Sequence, residues 1–479
     1  MSFDDLFALA PLAAPAVTAL VVLLVLCVRR SHRLVATLSG LGLAFGLALL
    51  PAAWLAPAAK VGEMLVLDRL AVVFTGMLLA MALATVLLAA GYLERQKERR
   101  EEFYVFLLLA TTGAVTLTAA ANLVSFFLGL EVLSVSLYVL IAYQRERRVR
   151  LEAGIKYLVL GGVSTSFMLL GMAFVYAKVG SMSFGPVGEA MGWIPLRNHL
   201  PALMGFGLII VGVGFKLALV PMHLWAADVY QGAPAPVAMF IATVSKGAVF
   251  VAALRLFGNV AHPYDDSWRL AFTVLAVASM FGGNLLALRQ ENLKRLLAYS
   301  SIAQVGYLLV ALVAAGTASQ AAGLYLAAYF ATSVLAWGVL IVLSPGEEDA
   351  QALGDLRGLA WRRPRLTALL TLALISLAGL PLTGGFLGKF LLLEEGVGER
   401  LWVLVGALVL SSVVGLFYYL RVIAALFSRA EDVLSPPAPP VPVAAKVALV
   451  VALVVLLVLG LFPAPFLGLL RAVGEWRGF

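Results

Sequence analysis

Glu131, Lys216, Lys246 and Lys389 each stand inside an apolar stretch: LVSFFLGLEVLSVSLYVL, GLIIVGVGFKLALVPMHLW, APVAMFIATVSKGAVFVAAL and PLTGGFLGKFLLL. At the centre of a bilayer helix a charged side chain costs roughly 2.5–3.5 kcal/mol, so four of them carry a gross penalty of about 10 kcal/mol. Groups kept at that cost mark ion or proton paths, or else static pairs that lock helices together. Carboxylates and amines both carry protons, and moving Glu131 relative to a lysine would change that lysine's proton affinity. One glutamate neutralises one lysine. At least one of Lys216 and Lys246 is therefore expected to be neutral, hydrated or paired with a mobile charge.

The neighbours of these residues extend the pattern. Ser134 and Tyr138 lie three and seven residues beyond Glu131, on its helix face. Thr243 and Ser245 stand beside Lys246, and Lys216 precedes Pro221 by five residues. Lys389 is followed by Glu394 and Glu395, close enough to the next charges for its stem to snorkel toward the interface. His223, two residues past Pro221, is the one histidine well inside an apolar run, while His32, His199 and His262 fall in predicted loops. Its type suits either a proton relay or a packing role. Ser300, Gln304 and Tyr307 form a polar stripe that fits interhelical glue first and a hydrated path second.

These residues must be positioned by membrane helices. Of 479 residues, 62% are hydrophobic and 13% charged, and mean hydropathy is +1.01, whereas soluble domains carry about 25% charged residues. Apolar runs near 9–28, 35–55, 70–93, 103–120, 122–143, 153–177, 202–227, 235–257, 268–288, 294–314, 319–343, 366–394, 401–427 and 444–469 predict about fourteen transmembrane helices, helices 1–14. They are too long for barrel strands, so the fold class is an all-α polytopic bundle forming a single membrane domain over 1–479. The start, MSFDDLFALAPLAAPAV, has two acids and no positive flank, and reads as the beginning of helix 1 rather than a cleaved signal.

Charge sets the orientation. Loops after odd-numbered helices hold twenty Lys and Arg residues against eight on the other side, which predicts cytoplasmic odd loops and both termini outside. The net charge of +8 lies in short loops with no aromatic interleaving, which fits anionic lipid headgroups and excludes a nucleic-acid surface.

Two spans are interrupted. Pro221 breaks helix 7 and Pro381, followed by Thr383, Gly384 and Gly385, breaks helix 12; each proline frees the carbonyl four residues earlier, on Leu217 and Leu377. Freed backbone at membrane depth is tolerated where it is buried in protein or lines a hydrated cavity. Helices five apart run in opposite directions, the pattern of inverted repeats, which pairs helices 4–8 (103–257) with helices 9–13 (268–427).

The glycine runs GLGLAFG and GFGLIIVGVG join no strand to a helix and so read as close-packing helix surfaces, not nucleotide loops. With a single cysteine, Cys27, no internal disulfide forms, and with so few histidines and cysteines no haem or copper site is expected.

The stretches GFKLALVPMHLWAADVYQGAPAPVAMFIATVSKGAVFVAALR, RQENLKRLLAYSSIAQVGY and LAGLPLTGGFLGKF resemble the antiporter-like membrane subunits of bacterial respiratory complex I, the NADH-quinone oxidoreductase. The likeness runs along essentially the whole chain. It implies a fourteen-helix subunit with two inverted five-helix repeats, broken helices 7 and 12 and a hydrophilic axis at the membrane midplane. It also implies proton translocation driven by NADH:quinone electron transfer elsewhere in the assembly. By the same resemblance Glu131 matches the helix 5 glutamate, Lys216 its helix 7 lysine partner, Lys246 the central helix 8 lysine and Lys389 the helix 12 lysine. The resemblance further implies a bacterial inner-membrane location and partners among the other complex I subunits, especially neighbouring antiporter-like ones. No cofactor is then expected in this chain, with NADH, FMN, iron–sulfur clusters and quinone on other subunits. A lysine at position 389 differs from members with glutamate there, and the chain ends soon after helix 14, without the long lateral extension of another member. The alternatives are a subunit of a multisubunit cation/proton antiporter, and a structural membrane scaffold whose buried charges only hold helices together.

Overall fold

A computed structural model describes residues 3–96, 100–144, 147–192, 200–260, 266–315, 320–344, 349, 351–428 and 440–474. Thirteen helices among them are long and apolar enough to cross a membrane. The predicted helix 12 is present as two half-helices, 12a (Pro364–Ala378) and 12b (Gly384–Gly398), each too short to be counted with them. Local sequence explains where the helices begin. The side chains of Asp68, Asn122 and Thr383 accept from Ala71 N (2.8 Å), Val124 N (2.8 Å) and Phe386 N (3.3 Å), capping helices 3 (Arg69–Glu94), 5 (Leu123–Ile141) and 12b.

Helix 8 (Ala235–Val260), helix 10 (Leu293–Ala315) and helix 11 (Gln320–Leu343) are buried almost all round and form the centre. Apolar residues are spread round all their faces, as in helices with little solvent or lipid side, and their polar residues are buried with them. Helices 1 (Phe3–Val28), 2 (His32–Leu55), 6 (Arg148–Val179) and 14 (Val443–Leu461) lie at the perimeter and leave much of their apolar surface uncovered. Helix 6 has 32 residues, about 48 Å of helix against a hydrocarbon core of about 30 Å. Glycines allow the closest contacts. A Cβ on Gly113 would lie 2.6 Å from the Gly129 carbonyl, so helices 4 (Glu102–Ala119) and 5 touch backbone to backbone. Gly205, in the predicted glycine-rich surface, packs in the same manner against Gly171.

Both breaks are built alike. Helix 7a (Leu200–Leu217) ends with Leu219 N donating to Gly214 O (2.7 Å) and Ala218 N to Phe215 O (3.0 Å). Helix 12a ends with Leu380 N donating to Ile375 O (3.2 Å) and Gly379 N to Ser376 O (3.0 Å). The paired bonds are a Schellman end, which requires a left-handed residue after the helix; Gly379 takes it at φ 82° and Ala218 at φ 59°. Helix 7b (Leu224–Gly232) then resumes past Pro221.

Several features depart from the sequence reading. Residues Ala59–Val61 and Leu65–Leu67 form a small antiparallel hairpin between helices 2 and 3, and a short helix, Phe184–Gly192, succeeds helix 6. Helix 14 stops at Leu461; Pro463 cannot continue it, and a separate helix covers Ala464–Gly474. His32 is the first residue of helix 2 rather than a loop residue. His199 and His262 lie outside the described residues.

Candidate functional site

Each of the three lysines is buried at the middle of the bundle, and none has a carboxylate partner among the described residues. Lys216, in the last turn of helix 7a, is 3% exposed and donates to Ser134 Oγ at 2.7 Å. Its Nζ also stands 5.7 Å from the Tyr138 ring, 5.2 Å from Tyr157 and 5.6 Å from Phe215, an aromatic surround that favours a cation without pairing it. Glu131, one helical turn from Ser134, turns instead to helix 6, where Thr165 Oγ1 donates to its Oε1 at 2.8 Å. The carboxylate is half-buried, on a helix face that leaves Leu128, Val132 and Val135 exposed. The static Glu131–Lys216 pair weighed from the sequence is therefore not formed.

Lys246 opens the second α-helical part of helix 8, directly after a π-helical turn, Ile241–Ser245. Such a turn carries one extra residue, which rotates the side chains of the next turn about the helix axis. The Lys246 Nζ donates to Ser301 Oγ of helix 10 at 2.8 Å and lies 5.8 Å from the Tyr230 ring. A small cavity, the size of about one water molecule, adjoins it and is lined further by Gly247, Gln304, Tyr325, Tyr329 and Phe330.

Lys389 does not snorkel. It folds back along helix 12b into the break, 7% exposed, and donates to the carbonyls of Leu377 (2.9 Å) and Ala378 (3.1 Å). Leu377 O is the acceptor that Pro381 was expected to free. The same oxygen accepts from Gln304 Nε2 at 3.1 Å. The Lys389 Nζ also lies 4.8 Å from the Tyr307 ring, and the Tyr307 hydroxyl accepts from Asn284 Nδ2 at 2.8 Å.

The chemical consequence is shared by all three. Hydroxyl and carbonyl oxygens accept from an ammonium and from a neutral amine alike. A nitrogen so held gains or loses a proton without stranding a buried counter-ion, which a carboxylate partner would forbid. The predicted helix 10 stripe joins neighbours, as the first of its two readings has it: Gln304 bonds helices 11, 12 and 13 through Tyr325, Leu377 and Tyr419, and Ser300 bonds Tyr419 at 2.5 Å. His223 stands apart. It is half-buried, its Nδ1 has no partner among the described residues, and its ring bonds none of the four charged residues. Tyr157, Thr165, Ser301 and Tyr325 went unmarked in the sequence because serines, threonines and tyrosines are unremarkable in apolar helices until a partner is known.

The sequence reading also missed a buried ion pair near the basic-loop face. Lys294 and Asp349, 1% and 5% exposed, meet at 2.7 Å. Lys294 also donates to Ala233 O (2.6 Å), Tyr92 donates its hydroxyl to Asp349 Oδ1 (2.8 Å), and Arg150 donates to Tyr92 (3.2 Å). Burial opposes ionisation of Asp349, but Lys294, with Arg150 and Tyr92, outweighs it and holds the carboxyl below its usual range. Among the described residues no three His, Cys, Asp or Glu side chains converge as a metal site would require.

The family described as NADH:quinone oxidoreductase/Mrp antiporter, transmembrane region, matches residues 120–415. NADH-quinone oxidoreductase subunit N of Ectopseudomonas mendocina is 46% identical over 479 residues, covering 98% of this chain and 96% of that protein. A chain in the structure of respiratory complex I from Thermus thermophilus with bound aureothin is 37% identical with a TM-score of 0.83, covering 96% of this chain and 98% of that one. A chain of the Mrp complex from Dietzia sp. superposes with a TM-score of 0.87 over 99% of this chain and 97% of that one; at 19% identity it shows the shared fold alone.

Proposed function

Because the chain belongs to the NADH:quinone oxidoreductase/Mrp antiporter transmembrane family, we propose that it is a proton-translocating membrane subunit of a bacterial NADH-quinone oxidoreductase, in the place that subunit N occupies. The observation that carries this reading is the set of three buried amines, each hydrogen-bonded, among the described residues, to hydroxyl or carbonyl oxygens alone. Lys216 and Lys246 exchange protons with the cytoplasm, and Lys389 hands the proton outward. Glu131 biases Lys216 through its charge and is perturbed in turn by the neighbouring antiporter-like subunit. His223, with its open Nδ1 beside the helix 7 break, is a relay at most indirectly.

Outward transfer against a membrane potential costs roughly 2.3 kcal/mol per charge per 100 mV. The energy comes from NADH:quinone electron transfer on other subunits, which hold the NADH, FMN, iron–sulfur and quinone sites. Helices 4–8 and 9–13 form the two inverted repeats, a reading supported by the identical Schellman ends of helices 7a and 12a. The protein lies in the inner membrane with its odd loops cytoplasmic and both termini outside.

The test is proton pumping per electron by assembled complex in proteoliposomes. Lys216→Ala, Lys246→Ala and Glu131→Gln are each expected to lower it, and unchanged stoichiometry in all three would overturn the relay.

A further inference from the structure

Between Lys246 and Lys389 the structure places one side chain that cannot carry a proton. Gln304 is 4% exposed and its amide is nearly saturated: Nε2 donates to Leu377 O and to the Tyr419 hydroxyl, both at 3.1 Å, and Oε1 accepts from the Tyr325 hydroxyl. A primary amide has two N–H donors, and both are in use. On one side Gln304 walls the cavity that reaches Lys246. On the other it shares its acceptor, the carbonyl in the helix 12 break, with Lys389. Ser301, which binds Lys246, sits one turn earlier on the same helix.

We propose that Gln304 is a neutral gate between the two lysines. In the conformation seen, its amide separates the Lys246 cavity from Lys389. Rotation of the amide off Leu377 O joins the two, and water then links them. The ammonium of Lys246 gives a proton to that water, which passes one of its own to the lone pair of Lys389; the first amine ends neutral and the second charged. The three hydrogen bonds on the amide hold the gate shut at rest. Leu377 O remains tied to Lys389 while the gate moves, so opening leaves no break carbonyl unpaired. Gln304 is thus a positioning residue for the transfer and not one of its carriers.

The inference rests on the reading of Lys246 and Lys389 as proton carriers, and the experiment separates the two. Gln304→Ala and Gln304→Leu are compared in assembled complex reconstituted into proteoliposomes, with Lys246→Ala and Lys389→Ala beside them. Removing the amide and its bulk opens the gate: Gln304→Ala is expected to collapse a preformed proton gradient several-fold faster without NADH and to lower protons pumped per electron. Gln304→Leu fills the space without hydrogen bonds and cannot conduct: it is expected to lower pumping with no added leak. Complex content on native gels controls for assembly. A purely structural role would give both variants the same defect, and that result, or wild-type behaviour of both, overturns the gate. Should the lysine variants themselves pump normally, it is the carrier reading that fails.

Discussion

Lys216 bonds Ser134 at 2.7 Å and not the glutamate one turn away on the same helix. The arrangement leaves Glu131 one turn from the amine's partner yet held by a different neighbour, Thr165. A carboxylate in place of the hydroxyl would favour the charged form of Lys216.

Two variants test this pair. Ser134→Ala removes the oxygen that Lys216 uses, at a cost of about 1–3 kcal/mol for an unsatisfied buried donor. Pumping per electron is expected to fall, and Ser134→Thr to restore it. Thr165→Val frees the Glu131 carboxylate to pair with Lys216, so the same assay is expected to show a loss that Glu131→Gln does not deepen.

Gly379 supports Lys389 directly. A Cβ there would lie 2.9 Å from Lys389 Cδ and 3.2 Å from its Nζ, at φ 82°. Gly379→Ala is expected to push the lysine off the break carbonyls and reduce pumping toward the level of Lys389→Ala. Gly180 has a similar φ of 74° but open space around it, so Gly180→Ala is expected to cost only the backbone strain, about 1–2 kcal/mol, with pumping intact.

Ala218 bears that strain already. At φ 59° it fills the left-handed position that glycine fills in helix 12. Ala218→Gly is expected to raise the thermal midpoint of purified complex, corresponding to about 1 kcal/mol of relieved strain; a lowered midpoint would show that the Ala218 methyl, fully buried, contributes more by packing.

The Lys294–Asp349 pair gives a prediction about stability. Lys294→Met strands a buried carboxylate and is expected to cost about 3–5 kcal/mol, most of it recovered in Lys294→Met/Asp349→Leu. The native carboxyl titrates below its ordinary value. Its contribution is therefore present above about pH 3.9, the unfolded value, and is lost as pH falls through the native one. Thermal unfolding in detergent against pH is expected to show an acid limb that Asp349→Asn flattens.

The four charged residues and both helix breaks were legible in the sequence because charge and proline are outliers in hydrocarbon-length runs. What they bind was not. Whether Lys216 meets Glu131 or Ser134 depends on the rotation of helix 5, which its apolar pattern, nearly uniform all round, leaves open. Lys294 and Asp349 lie 55 residues apart and read as solvated loop charges until the fold closes over them. The π turn before Lys246 leaves no trace in IATVS, since its one extra residue is a matter of hydrogen-bond register. Gln304 was visible as one member of a polar stripe, but its three partners come from three other helices.

Both breaks open onto the flank of the molecule. Pro221 and Leu224 are exposed in one, Pro381 and Leu382 in the other, and Glu131, half-covered, stands on a helix beside bare leucine and valine. Acyl chains wet such surfaces poorly, because they offer nothing to a carboxylate or to kinked backbone. The chain is thus a solute whose best solvent is protein of its own kind. A solitary copy in a bilayer would gather whatever polar neighbour, water or lipid headgroup, could reach those two seams.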